Sequence, residues 1–174
     1  MADIRVLLSE EQIDKRVREV ATKINDDYKG QPLHLICVLK GSIFFTCELA
    51  KRLEMPVTID FMQVSSYGSQ TVSSGVLKIK KDLDESIEDK NVLIIEDIID
   101  SGNTLYHLKE LLTKKNPKSL KICTLLDKPE RREKEVEVDY VCFDIPDEFV
   151  VGYGLDYDQK YRNLPYIGVV EKLD

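Results

Sequence analysis

Val92-Leu93-Ile94-Ile95-Glu96-Asp97-Ile98-Ile99-Asp100-Ser101-Gly102-Asn103-Thr104 is the stretch around which the rest of the chain is organised. Val92 to Ile95 is uncharged and rich in β-branched residues, the composition of a strand covered on both faces. The strand is expected to end abruptly at two adjacent carboxylates, Glu96 and Asp97. One more apolar pair is followed by a small, hydroxyl-rich loop, Asp100 to Thr104, and then Leu105, Leu108, Leu111 and Leu112 recur at helical spacing. The order is strand, acids, polar loop, helix.

A loop entering a helix presents unpaired backbone N–H groups and the positive end of the helix dipole, where anions bind. Gly102 lets the backbone approach a ligand closely, and Ser101 and Thr104 can add hydroxyl donors to a phosphate. Glu96 and Asp97 cannot bind that phosphate, but they can accept hydrogen bonds from ribose hydroxyls or hold Mg²⁺ through water. Taken singly, either acid reads better as a helix cap or a solvated turn residue. The whole arrangement, in its strand–loop–helix context, points instead to a grip on a phosphorylated sugar.

The same stretch resembles the phosphoribosyl pyrophosphate signature of the type I phosphoribosyltransferases, hydrophobic residues followed by two acids and an Asp-x-Gly-x-Thr-like loop. The resemblance implies that Glu96, Asp97, Asp100, Ser101, Gly102, Asn103 and Thr104 bind the phosphoribosyl group. It also implies an α/β fold: a twisted, mostly parallel sheet flanked by helices. A small hood is expected from the N-terminal residues and about 146–174, and a mobile lid at about 63–76, within a single domain spanning 1–174.

The composition agrees with one core. A chain of 174 residues is large enough to bury roughly 70% of its unfolded surface without staples. No apolar run approaches a membrane span, and Met1-Ala2-Asp3-Ile4-Arg5 lacks the apolar core of a signal peptide, so a cytoplasmic protein is expected. Cys37, Cys47, Cys123 and Cys142 are widely spaced in apolar runs and read as reduced core residues, and His34 is assigned no role. A net charge of −7 argues against a broad nucleic-acid surface.

From the N-terminus, Ser9-Glu10-Glu11-Gln12 is a capping box, and Ile13, Val17, Val20, Ala21 and Ile24 continue a packing helix to Gly30. Strands are expected at Leu33–Leu39, Val57–Met62, Val76–Lys81, Leu120–Leu126, Val138–Ile145 and Tyr166–Glu171, with a second helix at Ile43–Leu53. Lys40-Gly41 ends the first of these strands, where an open α/β sheet gathers its ligands. From composition alone this pair is an ordinary connection. In purine members of the family it resembles a pyrophosphate-contacting loop, often with a cis peptide, and sequence does not fix whether Lys40–Gly41 is cis.

Gln63 to Gly75 carries no charge and few apolar groups, as an exposed hairpin loop or a lid would. The resemblance assigns its Ser66-Tyr67 pair to pyrophosphate. It assigns Lys128 to the exocyclic 6-oxygen of a purine, Phe149 to stacking on the base and the Val150 backbone to the ring edge. Asp156 matches a second magnesium ligand beside Glu96 and Asp97, and Arg162 matches an arginine that grips pyrophosphate. Arg131-Arg132 reads as part of a charged surface turn, Glu130 to Glu137.

The activity implied is Mg²⁺-dependent transfer of phosphoribose from phosphoribosyl pyrophosphate to hypoxanthine or guanine, with Asp100 handling the proton at purine N7. Small-molecule substrates, no nucleic acid, no membrane, and a homodimer or homotetramer are expected. An RNA-binding regulator on the same fold is the alternative from another class; it needs a basic face that this acidic chain does not advertise. An enzyme for xanthine or a pyrimidine is a third, disfavoured by Lys128 and Phe149.

Overall fold

Alternate residues of the central strand enter different cores. In the computed structural model, which describes residues 2–66 and 77–172, Leu93 and Ile95 lie in one apolar cluster and Val92 and Ile94 in a second. All four are fully buried, which is why the run carries no polar alternation.

The chain runs β1 (Asp3–Leu8), α1 (Glu10–Asp27), β2 (Leu33–Val38), α2 (Ile43–Ala50), β3 (Val57–Ser66), β4 (Leu77–Lys81), β5 (Asn91–Ile99), α3 (Asn103–Thr113), β6 (Ser119–Asp127), β7 (Tyr140–Asp144), β8 (Val150–Val151) and β9 (Ile167–Lys172). A single 3₁₀ turn, Pro129–Arg131, follows β6. The main sheet has the order β4-β3-β2-β5-β6-β7, parallel except for β4 against β3. Helices α1 and α2 contribute Ile13, Val17, Ile24, Phe45 and Leu49 to the first cluster, and α3 contributes Leu105, Leu108 and Leu112 to the second. The two clusters therefore cover opposite faces of the sheet, as the helical spacing of those residues requires.

From β2 the chain moves outward to β3 and β4, then returns across β2 to β5 and proceeds the other way through β6 and β7. The connections diverge beyond the carboxyl ends of β2 and β5, the place where open α/β sheets bind ligands. A second, three-stranded antiparallel sheet, β1-β9-β8, joins the N-terminal strand to the C-terminal segment.

Several boundaries differ from expectation for identifiable reasons. β5 does not stop at Ile95 but continues through the acids to Ile99, because β6 keeps pairing with it at Glu96, Ile98 and Ile99 after β2 has stopped at Ile95. The acids thus have a strand on one side only. Helix α2 ends at Ala50 because Arg52 and Leu53 donate instead to Leu49 and Ala50, a tightened final turn. Helix α1 has its capping box, Ser9 N–H donating to Gln12 Oε1 at 2.8 Å and Gln12 N–H to Ser9 Oγ at 3.2 Å, and ends at Asp27. β1 had no local signal; its register comes from β9, far away in sequence. Cys37, Cys123 and Cys142 are buried as expected, but Cys47 is exposed on α2. The part of the expected lid from Tyr67 to Val76 lies outside the described residues.

Leu93 packs on the α1–α2 side, so Leu93→Ala is expected to cost about 2–5 kcal/mol in urea unfolding, whereas Val6→Ala, at a half-exposed position of β1, should change stability by less than about 1 kcal/mol.

Candidate active site

Three segments meet at the carboxyl edge between β2 and β5 with no room for another carbon. A Cβ added to Gly41 would fall 1.7 Å from Asp97 Oδ2, and one added to Gly154 would fall 2.1 Å from the Gly41 carbonyl oxygen. Gly154 also has φ +104°, which side-chain-bearing residues rarely adopt. The Lys40-Gly41 turn, the β5 acids and the 152–156 segment are thereby brought into one place. The cis peptide in this turn is Leu39–Lys40, one bond before the pair singled out in the sequence.

Ser42 Oγ donates to the Val38 carbonyl at 2.7 Å and fixes the turn from below. Beside it, Glu96 is 9% exposed and Asp97 half-buried. Burial pushes the Glu96 carboxyl well above the usual range, and the charge of Asp97 adds to that rise. Burial also raises Asp97, offset in part by hydrogen bonding to Glu96, by the Ile98 N–H at 2.7 Å and by the Arg162 guanidinium. Two acids held this way gain from any cation or hydroxyl donor placed between them and solvent.

Gly102 takes φ +84° to start α3, and no side chain among the described residues caps that helix. The Asn103 N–H donates to Ser101 Oγ at 3.3 Å, forming the tight turn expected of an anion-binding loop. The loop is braced from outside by residues that the sequence showed only as a charged turn. Glu133 and Lys134 N–H groups both donate to the Ser101 carbonyl, at 2.8 and 3.1 Å, and Asn103 Nδ2 donates to Glu133 Oε2 at 2.8 Å. Arg132 pairs with Asp127 and reaches the Asp100 carbonyl at 3.4 Å. Arg131 Nε donates to Asp100 Oδ1 at 3.0 Å. Arg131 and Arg132 lie in or beside the surface turn expected from sequence, and both guanidinium groups also face back onto the loop.

At the end of β6, Lys128 is only 7% exposed, and its ammonium lies 3.8 Å from Asp147 Oδ1. Ile145 N–H donates to the Asp127 carbonyl at 2.8 Å, which ties the segment after β7 to the same edge. Two residues beyond Asp147, Phe149 is 52% exposed and stands edge-on to Tyr157, with ring centroids 5.8 Å apart. An exposed aromatic face two residues along the chain from the acid that faces a buried ammonium can take a flat ring carrying an acceptor at its edge. Val150 is buried in β8 against Val169.

Arg162 Nη1 donates to the Gly154 carbonyl at 2.8 Å, and its Nη2 lies 3.1 Å from Gln159 Oε1 and 3.4 Å from Asp156 Oδ1. Lys40 Nζ donates to the same Gln159 oxygen at 3.1 Å, while the Gln159 N–H donates to Asp156 Oδ2 at 2.8 Å. Gln159, given no role from sequence, therefore links Lys40 to Arg162. Its φ of 65° and those of Tyr153, Asp158 and Tyr161, at 50°, 50° and 74°, hold the segment in an irregular path that no periodicity could announce.

Lys40, Gly41, Asp97, Asp156 and Arg162 are thus brought together, with Glu96 beside Asp97, Asp100 to Thr104 following β5 on the same edge, and Lys128 linked to Asp100 through Asp147 and Arg131. The Ser66 side chain and Tyr67 lie outside the described residues. Among those residues no group of three or more His, Cys, Asp or Glu side chains could by itself hold a metal ion. His34 Nδ1 meets Thr58 Oγ1 at 2.6 Å within the sheet, consistent with packing alone.

Residues 6–158 match the family described as phosphoribosyl transferase domain. The chain is 50% identical over 168 residues to a hypoxanthine-guanine phosphoribosyltransferase of Streptococcus thermophilus, covering 97% of this chain and 93% of that one. It is 53% identical over 167 residues to the protein of the same description in Bacillus subtilis, covering 96% and 93%. A crystal structure of a hypoxanthine-guanine phosphoribosyltransferase from Bacillus anthracis superposes with a TM-score of 0.93 at 50% identity, over 98% of this chain and 99% of the other.

The raised carboxyl of Glu96 sets a pH dependence. Its folded-state value exceeds that of the unfolded chain, so its contribution to stability is fully present at low pH and is lost as pH rises through the folded value. In Mg²⁺-free buffer, Glu96→Gln is expected to raise Tm above wild type at about pH 8 and to leave it nearly unchanged at about pH 4. Scanning calorimetry across that range checks it; a stabilisation that is equal at both ends would contradict the buried-charge account.

Proposed function

We propose that this chain, which belongs to the phosphoribosyl transferase domain family, transfers phosphoribose from phosphoribosyl pyrophosphate to the N9 nitrogen of hypoxanthine or guanine, giving IMP or GMP and pyrophosphate. The names of its relatives at about 50% identity supply the substrate class. The observation that carries the reading is the close contact of Gly41, Asp97 and Gly154 at the sheet's divergence point, with the braced 100–104 loop beside it.

The phosphate of the sugar is assigned to the N–H and hydroxyl groups of Ser101, Gly102, Asn103 and Thr104 at the start of α3, and the ribose hydroxyls to Glu96 and Asp97. Anchoring both ends of the sugar holds its C1 in line between the leaving pyrophosphate and the incoming base. Lys40, the Gly41 backbone and Arg162 receive the pyrophosphate, whose charge grows as its bond to C1 breaks. Ser66 and Tyr67 are assigned to the same group on the family resemblance, as part of a lid expected at about 63–76 that would exclude water from the cation-like sugar; its first four residues, Gln63 to Ser66, are the paired end of β3.

Glu96 and Asp97, and separately Asp156, would hold Mg²⁺. Neither position offers a closed set of protein ligands, as suits an ion that keeps much of its water and binds substrate phosphates. When bound, it supplies charge neutralisation to the departing pyrophosphate. On the base side Phe149 stacks on the purine, the Val150 backbone meets its ring edge, Lys128 donates to the 6-oxygen, and Asp100 takes or holds the proton at N7 as N9 bonds to C1. The β1-β9-β8 sheet, with residues 146–174, is assigned as the hood of a single catalytic domain.

No helix among the described residues is long and apolar enough to cross a membrane. A cytoplasmic enzyme with buried free thiols is the reading these features favour. Ile43 and Phe44 of α2 and Ile59 of β3 are exposed, as in a homodimer or homotetramer, and sedimentation distinguishes either from a 20.0 kDa monomer.

Incubation with phosphoribosyl pyrophosphate, Mg²⁺ and each of adenine, hypoxanthine, guanine and xanthine tests the assignment by chromatography of the nucleotide formed. Hypoxanthine and guanine should react, and adenine, whose 6-amino group leaves Lys128 without an acceptor at a cost of about 1–3 kcal/mol, should react at least roughly tenfold more slowly. Comparable rates with adenine would refute the role of Lys128. Asp100→Asn should lower kcat by about a hundredfold or more, and near-wild-type turnover would remove Asp100 from proton handling.

A further inference from the structure

Hypoxanthine and guanine present N7 and the 6-oxygen side by side on one edge, so the two groups that read that edge must keep a fixed separation. In this chain they are Asp100 on the loop before α3 and Lys128 after β6; their backbones are tied next door, the Lys128 N–H donating to the Ile99 carbonyl at 2.9 Å, but that leaves the two side chains to be oriented separately. A chain of alternating charges joins them: Asp100 Oδ1 accepts from Arg131 Nε at 3.0 Å, Arg131 Nη1 lies 3.6 Å from Asp147 Oδ2, and Asp147 Oδ1 lies 3.8 Å from Lys128 Nζ.

We propose that Arg131 is a positioning residue for purine recognition, spacing the carboxylate of Asp100 and, through Asp147, the ammonium of Lys128 to match the N7/6-oxygen edge of the base; this rests on the function proposed above. The guanidinium suits the task because its nitrogens diverge in one rigid plane, so one arm can hold each acid. It engages only one oxygen of Asp100, leaving Oδ2 for the N7 proton. Asp147 is the counter-charge that a 7%-exposed lysine requires, and a second tie to Arg131 restricts where that lysine can point. Arg132, next in sequence, does something different: it pairs with Asp127 and reaches the loop's backbone.

The Arg131 side chain is 54% exposed, and ion pairs this open to solvent contribute little to folding. A role confined to positioning is therefore separable from one in stability. Steady-state kinetics on Arg131→Gln, Arg131→Lys, Asp147→Asn and the double variant Arg131→Gln/Asp147→Asn, with hypoxanthine and phosphoribosyl pyrophosphate varied in turn, makes the test alongside wild type. Arg131→Gln should raise the KM for hypoxanthine by about tenfold while the KM for phosphoribosyl pyrophosphate stays within about twofold, with an unchanged melting temperature. Arg131→Lys, which keeps the charge and loses the fork, should recover only part of that loss. The double variant should lose no more than about twofold beyond the larger of the two single losses, Arg131→Gln or Asp147→Asn, because both residues act in one chain. An unchanged KM for hypoxanthine, equal losses for both substrates, or multiplicative losses in the double variant would each overturn the role. Wild-type protein that fails to convert hypoxanthine would instead refute the assigned function, and this role with it; active wild type with an indifferent Arg131→Gln refutes the role alone.

Discussion

The site exists because three backbone segments share a space that excludes a single methyl group. Gly41 lies against the Asp97 carboxylate, and Gly154 against the Gly41 carbonyl, so the turn after β2, the acids of β5 and the segment after β8 must be built to one another's shape. Close packing of this kind transmits position well: a displacement in any one segment must be met by the other two. The parallel sheet supplies the framework, since β2 stops at Ile95's level and leaves one flank of Glu96 and Asp97 open where β5 continues beside β6. A sheet with equal strand ends would have set a strand on both sides of those acids.

The electrostatics follow from that geometry. Glu96 and Asp97 are withdrawn from water next to each other, an arrangement that disfavours two charges unless a cation or donors share the crevice. The cations already nearby are held back by other partners. Lys40 and Arg162 meet at the Gln159 side-chain oxygen, Lys128 faces Asp147, and Arg131 and Arg132 are engaged with Asp100 and Asp127. The Lys128–Asp147 and Arg131–Asp100 pairs lie at 3.8 and 3.0 Å, spacings at which a bound polyanion could exchange partners with them, while Glu96 and Asp97 are left facing each other.

Much of this was legible in the chain. The capping box at Ser9, the apolar run of β5 and the Gly102 turn are local signals, each carried by a few adjacent residues, whereas Lys128 and Phe149 stood out only through the family resemblance. What was not legible depends on contacts between distant residues. β1 acquires its strand from β9, the extension of β5 past its acids comes from β6, and Arg131 reaches Asp100 across 31 positions of chain. Gln159 sits in a left-handed conformation that its residue type does not demand, and only the meeting of Lys40 with Arg162 gives it a function. Periodicity and motif spacing describe one element at a time, whereas these features belong to pairs of elements.

The most direct measurement is a crystal structure of the chain with phosphoribosyl pyrophosphate and Mg²⁺. The 5′-phosphate is predicted to sit on the backbone N–H groups of residues 101–104, with the ribose hydroxyls on Glu96 and Asp97 and the pyrophosphate against Gly41 and Arg162. Donor bound away from the start of α3, or at that place with its sugar turned from the two acids, would contradict the account.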